Sequence, residues 1–333
     1  MPDTQAVARG FSPRVFELDC ELETRRIVEF LRSALRRMQK RGLVLGVSGG
    51  VDSSVCAALA VRALGHERVL ALLMPERDSS SDSTRLGEQV AQSLGLRCER
   101  EDITPALQAL GCYARRDEAM RSVFADYGPD WKSKLAIADG AAGRLHFFDL
   151  VVQDPAGLQQ RRRLPLQAYL RIVAATNFKQ RVRKNLEYFH ADALNYAVLG
   201  TPNRLEFDQG FFVKNGDGAA DIKPIAHLYK TQVYALARHL GLPEEVCNAR
   251  PTTDTYSLQQ GQDEFYFALP WDRMDLALWA RDHGHSAQEL AQALGIAPAQ
   301  AQAVFADIDA KRRSTAYLHM PALRVPEPAE SER

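Results

Sequence analysis

No stretch of this 333-residue chain approaches the ~18 consecutive apolar residues that a membrane-spanning helix needs. Net charge is missing as well. Forty-two basic residues balance 42 acidic ones, so no global field draws the chain towards nucleic acid or an anionic membrane, and neither is an expected partner. Cysteine is scarce: five residues (Cys20, Cys56, Cys98, Cys112, Cys247), odd in number and never spaced C-x-x-C. That pattern argues against a disulfide framework and a structural zinc, and fits the reduced thiols of a cytoplasm. The opening segment, MPDTQAVARGFSPRVFELD, has no apolar core of the kind a secretory signal carries. Hydrophobic residues nevertheless make up 46% of the chain, ample for a buried core and too many for a disordered one. A soluble cytoplasmic globule is therefore expected, with its function written in local motifs.

Along the chain, apolar spacing predicts a helix over 21–40, and LVLGV at 43–47 reads as a buried strand. A glycine turn precedes a second helix at 53–64, followed by strand VLALL at 69–73, an amphipathic helix at 83–94 and a more polar edge strand within 96–103. Strands alternating with helices through short connections argue for a parallel sheet covered on both faces. Residues 113–170 break the pattern and read as an insertion, with a strand pair around 145–152. Between 161 and 184 stand eight basic residues and no acidic one, either a solvated face or an anion-facing surface. Helical pattern resumes at 169–194, then strand YAVLG at 196–200 and a helix at 229–240. Two or three short helices follow at 272–310; with no basic recognition face they are not expected to read DNA. The division expected is an N-terminal extension (1–20), a synthetase-like body (21–270) containing the insertion, a C-terminal helical lid (271–323) and a flexible tail (324–333).

The most informative segment is LVLGVSGGVDSS, in which a strand runs through Ser48-Gly49-Gly50 into a helix. Two glycines let the backbone approach an anion, and the first-turn N–H groups of the helix point at it. The hydroxyls of Ser48 and Ser53 add donors. Asp52 would repel a bare phosphate, so it implies an intervening cation, Mg²⁺. The loop has neither the G-x-x-x-x-G-K-[ST] pattern of lysine-assisted γ-phosphate transfer nor the G-x-G-x-x-G of a dinucleotide site.

SGGVDSS resembles the pyrophosphate loop of the ATP pyrophosphatase (PP-loop) superfamily. Its members split ATP between the α- and β-phosphates and adenylate an oxygen of a second substrate. The second half of the chain narrows the resemblance. NFKQRVR (177–183), LGTPNRLE (199–206), GFFVKNGDGAADIKP (210–224), LYKTQ (228–232), RPTTD (250–254), GQDE (261–264) and Lys311-Arg312 are similar, in order and spacing, to NAD synthetases. The similarity spans about 25–110 and 171–322. It implies a three-layer α/β fold of the adenine-nucleotide hydrolase type with a parallel sheet and a small helical lid.

The resemblance implies that Ser48, Gly49, Gly50, Val51, Asp52, Ser53 and Ser54, with Thr201, Lys230 and Thr252, bind ATP. Asp52, Glu206 and Asp217 are the expected metal ligands, although Glu206 also reads as a solvated helix carboxylate and Asp217 as a turn residue. Arg181, Lys214, Asp221 and Lys311 match positions that hold deamido-NAD; Asp221 could equally cap the chain before Pro224. The implied reaction is ATP-dependent amidation, in which deamido-NAD, ammonia and ATP give NAD, AMP and pyrophosphate through an acyl-adenylate, in a homodimer. The apolar positions of 169–194, namely Leu170, Val173, Ala174, Phe178 and Leu186, are the candidate dimer contacts. No cysteine-centred glutaminase motif is present, so free ammonia, or ammonia from a separate partner, is the expected donor. Three departures are visible: Pro202-Asn203-Arg204-Leu205 before Glu206, Ala310 where the family usually has His, and the long insertion. They leave the chemistry intact and loosen the identity of the acid, so a ligase amidating another carboxylic acid is one alternative; from another class, a non-catalytic nucleotide-binding module is the second.

Overall fold

The computed structural model describes residues 11–137, 148–252, 255–267 and 269–325. Positions 1–10 of the expected extension, 138–147 of the insertion (with the start of its expected strand pair), Thr253 and Asp254 of RPTTD, and 326–333 of the tail lie outside the described residues.

Seven strands appear among the described residues: β1 (Leu43–Gly46), β2 (Val69–Leu73), β3 (Arg97–Arg100), β4 (Lys132–Ile137), β5 (Phe148–Gln153), β6 (Gln159–Arg163) and β7 (Ala197–Val198). Four of them form the parallel sheet in the order β3-β2-β1-β7, with Leu43 opposite Val69 on one side and Ala197 on the other. β1 and β2 are continuously apolar because both their faces are covered. Leu43, Leu45, Val69, Ala71 and Leu73 enter the core beneath the helices Cys20–Met38, Val51–Leu64 and Lys230–His239. Val44, Leu70, Leu72 and Met74 alternate to the other face, where the long helix Leu166–Leu194 and the helix Cys112–Arg121 close the third layer. This is the three-layer α/β fold expected from the sequence. β3 is short and mostly exposed, as an edge strand carrying Arg97 and Arg100 must be.

Strand order reverses at β1: β2 and β3 extend the sheet one way, and β7 returns on the opposite side. Open α/β sheets form their ligand crevice outside the carboxyl ends of the strands at such a reversal. The segments leaving β1 and β7 are those holding Ser48–Ser54 and Thr201–Glu206.

The insertion is more ordered than a solvated loop. Its first residues belong to the buried helix Cys112–Arg121, and β4, β5 and β6 form an antiparallel meander with its own apolar core around Met120, Phe124, Leu135, Leu150 and Ile172. The basic run is not a single face. Arg161 and Arg163 both bond Asp149, Arg162 lies over the ring of Phe124, and Lys179 is fully buried against Glu76 and Asp78. Part of its charge is thus matched within the fold, while Arg181, among the described residues, meets only the Lys214 carbonyl.

At the C-terminus, helices Trp271–Asp282, Ala287–Leu294 and Pro298–His319 share a core with Leu205 and Tyr229 of the body. Phe16, from the turn Pro13–Phe16, is buried in the same core, so the described part of the N-terminal extension packs on this end. The last helix runs beyond the expected 310 because polar ties replace the apolar stripe after Ile308: Arg312 forks onto Asp208 and reaches Asp282.

Candidate active site

The phosphate-type loop is built from its smallest residues. Gly49 has φ +79°, and a Cβ there would stand 2.6 Å from the Leu86 Cβ and 2.7 Å from the Ser83 carbonyl, so only glycine fits. Gly50 is different. Its backbone is extended (φ −75°), and the nearest atom to an added Cβ is the Ser48 hydroxyl at 3.4 Å. Its openness keeps the backbone approachable from the crevice. The helix begins at Val51, two residues before the expected start, because Gly50 is its N-cap and brings no side chain to it. Ser53 Oγ donates to the Gly50 carbonyl at 3.0 Å and lies 3.3 Å from Ser48 Oγ. Ser54 is fully buried and donates to the same carbonyl at 2.8 Å, so its hydroxyl belongs to the helix interior rather than to the loop mouth.

Around Asp52 the structure gathers a charged centre from four segments. Asp52 accepts from the Asn203 side-chain amide at 3.1 Å and from the Lys230 ammonium. Glu206 accepts from the Asn203 backbone N–H at 3.3 Å and from Gln262 Nε2 at 3.0 Å. Asn203 caps the helix Arg204–Gln209 and Glu206 closes the reciprocal capping box, which aims its carboxylate back towards β7. Burial and then the neighbouring Asp52 push the Glu206 carboxyl up to about 7, against the opposing pull of Lys230. Lys230 is 3% exposed; burial disfavours its charge, but Asp52 and Glu206 outweigh burial and hold it above the ordinary lysine value. Asp275, fully buried, fixes the lysine's helix from outside by accepting from Thr231 N at 2.7 Å, Thr231 Oγ1 at 2.8 Å and Lys230 N at 3.3 Å. Cys56, one turn below Asp52, is buried, and burial with both carboxylates raises its thiol well above the usual range. It stays protonated and offers no nucleophile.

Asp217 stands elsewhere. Among the described residues it does not come within 4.8 Å of Asp52 and Glu206 as a third oxygen ligand. Its carboxylate accepts from Val213 N at 2.7 Å, in the field of Lys184 and Arg183, and burial raises its pKa. The structure therefore gathers two of the three expected metal ligands. Thr201 lies in the segment that follows β7, half-buried, and Thr252 is exposed and bridged to Gly261.

The expected dinucleotide set divides into three places. Arg181 Nε, on the long helix, donates to the Lys214 carbonyl at 3.3 Å, which brings those two together. Lys214 Nζ reaches the carbonyls of Tyr317 (2.7 Å) and Met320 (3.2 Å) at the end of the last helix. Asp221 ties β7 to the long helix, accepting from Val198 N at 2.7 Å and from Tyr188 at 3.4 Å. Lys311 is buried and bonds the Tyr266 carbonyl (2.5 Å) and Asp307 (2.7 Å), tying the last helix to the segment that precedes Phe267. Ala310 is exposed on that helix. Sequence reasoning missed Asn203, Gln262 and Asp275. Asn203 had a visible signal, N-x-x-E at a helix start; the other two arrive through tertiary contacts.

A glycine loop at a strand-order reversal, beside a lysine and two carboxylates, defines a nucleotide-dependent enzyme of the pyrophosphate-loop class. The particular family follows from comparison: the NAD synthase family model matches residues 23–125 and 158–315, and the chain belongs to that family. The NH(3)-dependent NAD(+) synthetase of Rhizobium meliloti (strain 1021) is 59% identical over 311 residues, covering 93% of each chain. That of Rhizobium rhizogenes (strain K84) is 53% identical over 326 residues, covering 97% of this chain and 98% of the relative. The solved NH3-dependent NAD synthetase of Campylobacter jejuni shares the fold, with a TM-score of 0.60 at 23% identity, over 92% of this chain and all of that one.

Proposed function

We infer that this chain is a ligase forming a carbon–nitrogen bond, joining ammonia to the carboxylate of deamido-NAD at the expense of ATP to give NAD. The observation that carries the reading is the Asp52–Lys230–Glu206 centre at the mouth of the Ser48–Ser53 loop, in a chain of this family. A carboxylate is a poor acyl donor, and adenylation gives it a good leaving group. The triphosphate lies along the loop, where the first-turn N–H groups and the hydroxyl of Ser48 meet its oxygens. The nicotinate carboxylate attacks the α-phosphorus, pyrophosphate leaves, and ammonia captures the acyl-adenylate with release of AMP. Lys230, whose charge the two carboxylates secure, offsets the charge that grows on the departing pyrophosphate. No side-chain nucleophile is needed; positioning and charge carry the acceleration.

The donor set fits Mg²⁺: Asp52 and Glu206 offer hard carboxylate oxygens, half-buried, with their combined charge only partly offset by Lys230. These two residues would hold the ion, which when bound neutralises phosphate charge. Asp217 is not assigned that role, because among the described residues its carboxylate does not cluster with those of Asp52 and Glu206. Arg181 and Lys214 are the basic groups proposed to meet deamido-NAD. We also propose a cytoplasmic homodimer. The contact face is narrower than the sequence suggests, since Val173, Phe178 and Leu186 are partly spent on the core, leaving Leu166, Leu170, Ala174 and Phe189 outward. No described helix is long and apolar enough to cross a membrane.

The test is direct. Purified protein with Mg-ATP, ammonium and deamido-NAD should form NAD and AMP in equal amounts. Glutamine should not replace ammonium, and at subsaturating ammonium the rate should climb up to about tenfold per pH unit below the ammonium pKa of about 9. Stoichiometric ADP in place of AMP would overturn the chemistry.

A further inference from the structure

The family match skips residues 126–157, the stretch that carries β4 and β5, while the segment 255–264 lies inside it. These two stretches are bound to each other. β4 is an edge strand of its sheet, and segment 255–264 has no ladder of its own until the short helix Gln262–Phe265. Each therefore presents backbone groups that need partners. Leu258 N donates to the Ser133 carbonyl at 3.1 Å, and Ser133 N donates to Ser257 Oγ at 2.9 Å. Gln260 Nε2 donates to the Leu135 carbonyl. Lys134 reaches the Gln259 carbonyl at 3.3 Å and pairs with Glu264. Apolar contacts reinforce the polar ones: Leu258 is buried with Ala136 and Val151, and Tyr256 enters the core of the insertion beside Leu135 and Leu150.

What this segment carries is part of the active centre. Two residues beyond Gln260, Gln262 donates to Glu206 at 3.0 Å, and Gly261 bridges Thr252. From the other side, Lys179 bonds the Thr255 carbonyl at 2.8 Å. Segment 255–264 is thus held along its length, and its anchors lie mainly on a strand that the family pattern does not include.

We propose that the inserted sheet is a fixed clamp whose residue Lys134, with Leu258 and Gln260 on the clamped segment, positions Gln262 against Glu206 and so pre-forms the Mg-ATP site. The proposal rests on the reading of the Asp52–Glu206–Lys230 centre as the nucleotide site. A segment ordered before the nucleotide arrives removes the entropic cost of ordering it on binding. Lys134, Leu258 and Gln260 are positioning residues; they act through Gln262.

Lys134→Ala and Leu258→Ala test the clamp from its two sides, with Lys134→Arg as the conservative control. Hydrogen exchange at 255–264 should quicken in both alanine variants while β1 and β2 keep their protection. The KM for Mg-ATP and its calorimetric Kd should rise about three- to tenfold, with kcat within about twofold and the KM for deamido-NAD unchanged. Lys134→Arg should stay close to the parent protein. Quicker exchange with an unchanged Kd for Mg-ATP would overturn the proposal, and so would unchanged exchange in both variants. A parent protein that binds Mg-ATP but makes no NAD would refute the proposed activity instead, and the Mg-ATP Kd would still decide the clamp.

Discussion

Replacing Asp52 by Asn alters the charge of the centre with almost no change in shape. In the parent protein one carboxylate oxygen accepts from the Asn203 amide at 3.1 Å and the other accepts from Lys230. An amide keeps one acceptor and turns the other into a donor, which must face either an ammonium or another amide. Lys230, 3% exposed, is left with Glu206 as its counter-charge. Removing one partner of a fully buried ion pair costs about 3–5 kcal/mol. Here the Asp52 side chain is 16% exposed and Glu206 remains, so a loss of about 1–2 kcal/mol is expected and the variant should fold. Catalysis should suffer more. One of the two proposed Mg²⁺ ligands is gone, and losing one preorganised electrostatic contact to a developing charge typically costs about 10²–10³ in rate. The assay is the initial rate of NAD and AMP formation at saturating substrates, repeated across a magnesium titration, with a denaturant midpoint as the control for folding. A folded Asp52→Asn variant that kept more than about a tenth of the parent rate, with unchanged magnesium dependence, would refute the role given to this carboxylate.

The two loop glycines should separate stability from binding. Gly49→Ala should destabilise by about 2–4 kcal/mol, from positive φ and the clash with Leu86 and Ser83, whereas Gly50→Ala should leave the unfolding midpoint nearly unchanged and weaken ATP binding, both read by denaturation and calorimetry. Glu206 sets a pH dependence: raised to about 7 in the fold from 4.5, it contributes stability that is full below 4.5 and lost as pH rises through about 7. Mg-ATP needs the ionised form, so its Kd should tighten as pH climbs towards 7 and level off above; a flat profile by calorimetry would contradict this. Light scattering at micromolar concentration should give the mass of a dimer, and Leu170→Asp, at an outward position of the long helix, should shift it towards monomer without unfolding.

Local features were the ones the sequence made legible. β1 and β2 announce themselves because strands covered on both faces must be apolar throughout, and the Ser48–Ser53 loop because a backbone that approaches an anion needs glycine at Gly49, with φ +79°. Glu206 was singled out by the family resemblance, and its capping box with Asn203 explains why the carboxylate points where it does. Contacts made across the chain left no such trace. Gln262 meets Glu206 across 56 residues and Asp275 meets Lys230 across 45, so neither has a neighbour in sequence that could betray it. The partners of the basic run at 161–184 left no trace for the same reason: Asp149, Glu76 and Asp78 lie outside the run, and a composition count cannot see them. Lys311 shows the converse. A motif position drew attention to it, but its bonds to Asp307 and the Tyr266 carbonyl could not be read from that motif. Tyr266 follows the clamped segment 255–264, so the last helix and the inserted sheet grip the same stretch of chain from its two ends. The residues that carry charge to the nucleotide are thus written in short motifs, whereas those that hold them still are written in the topology.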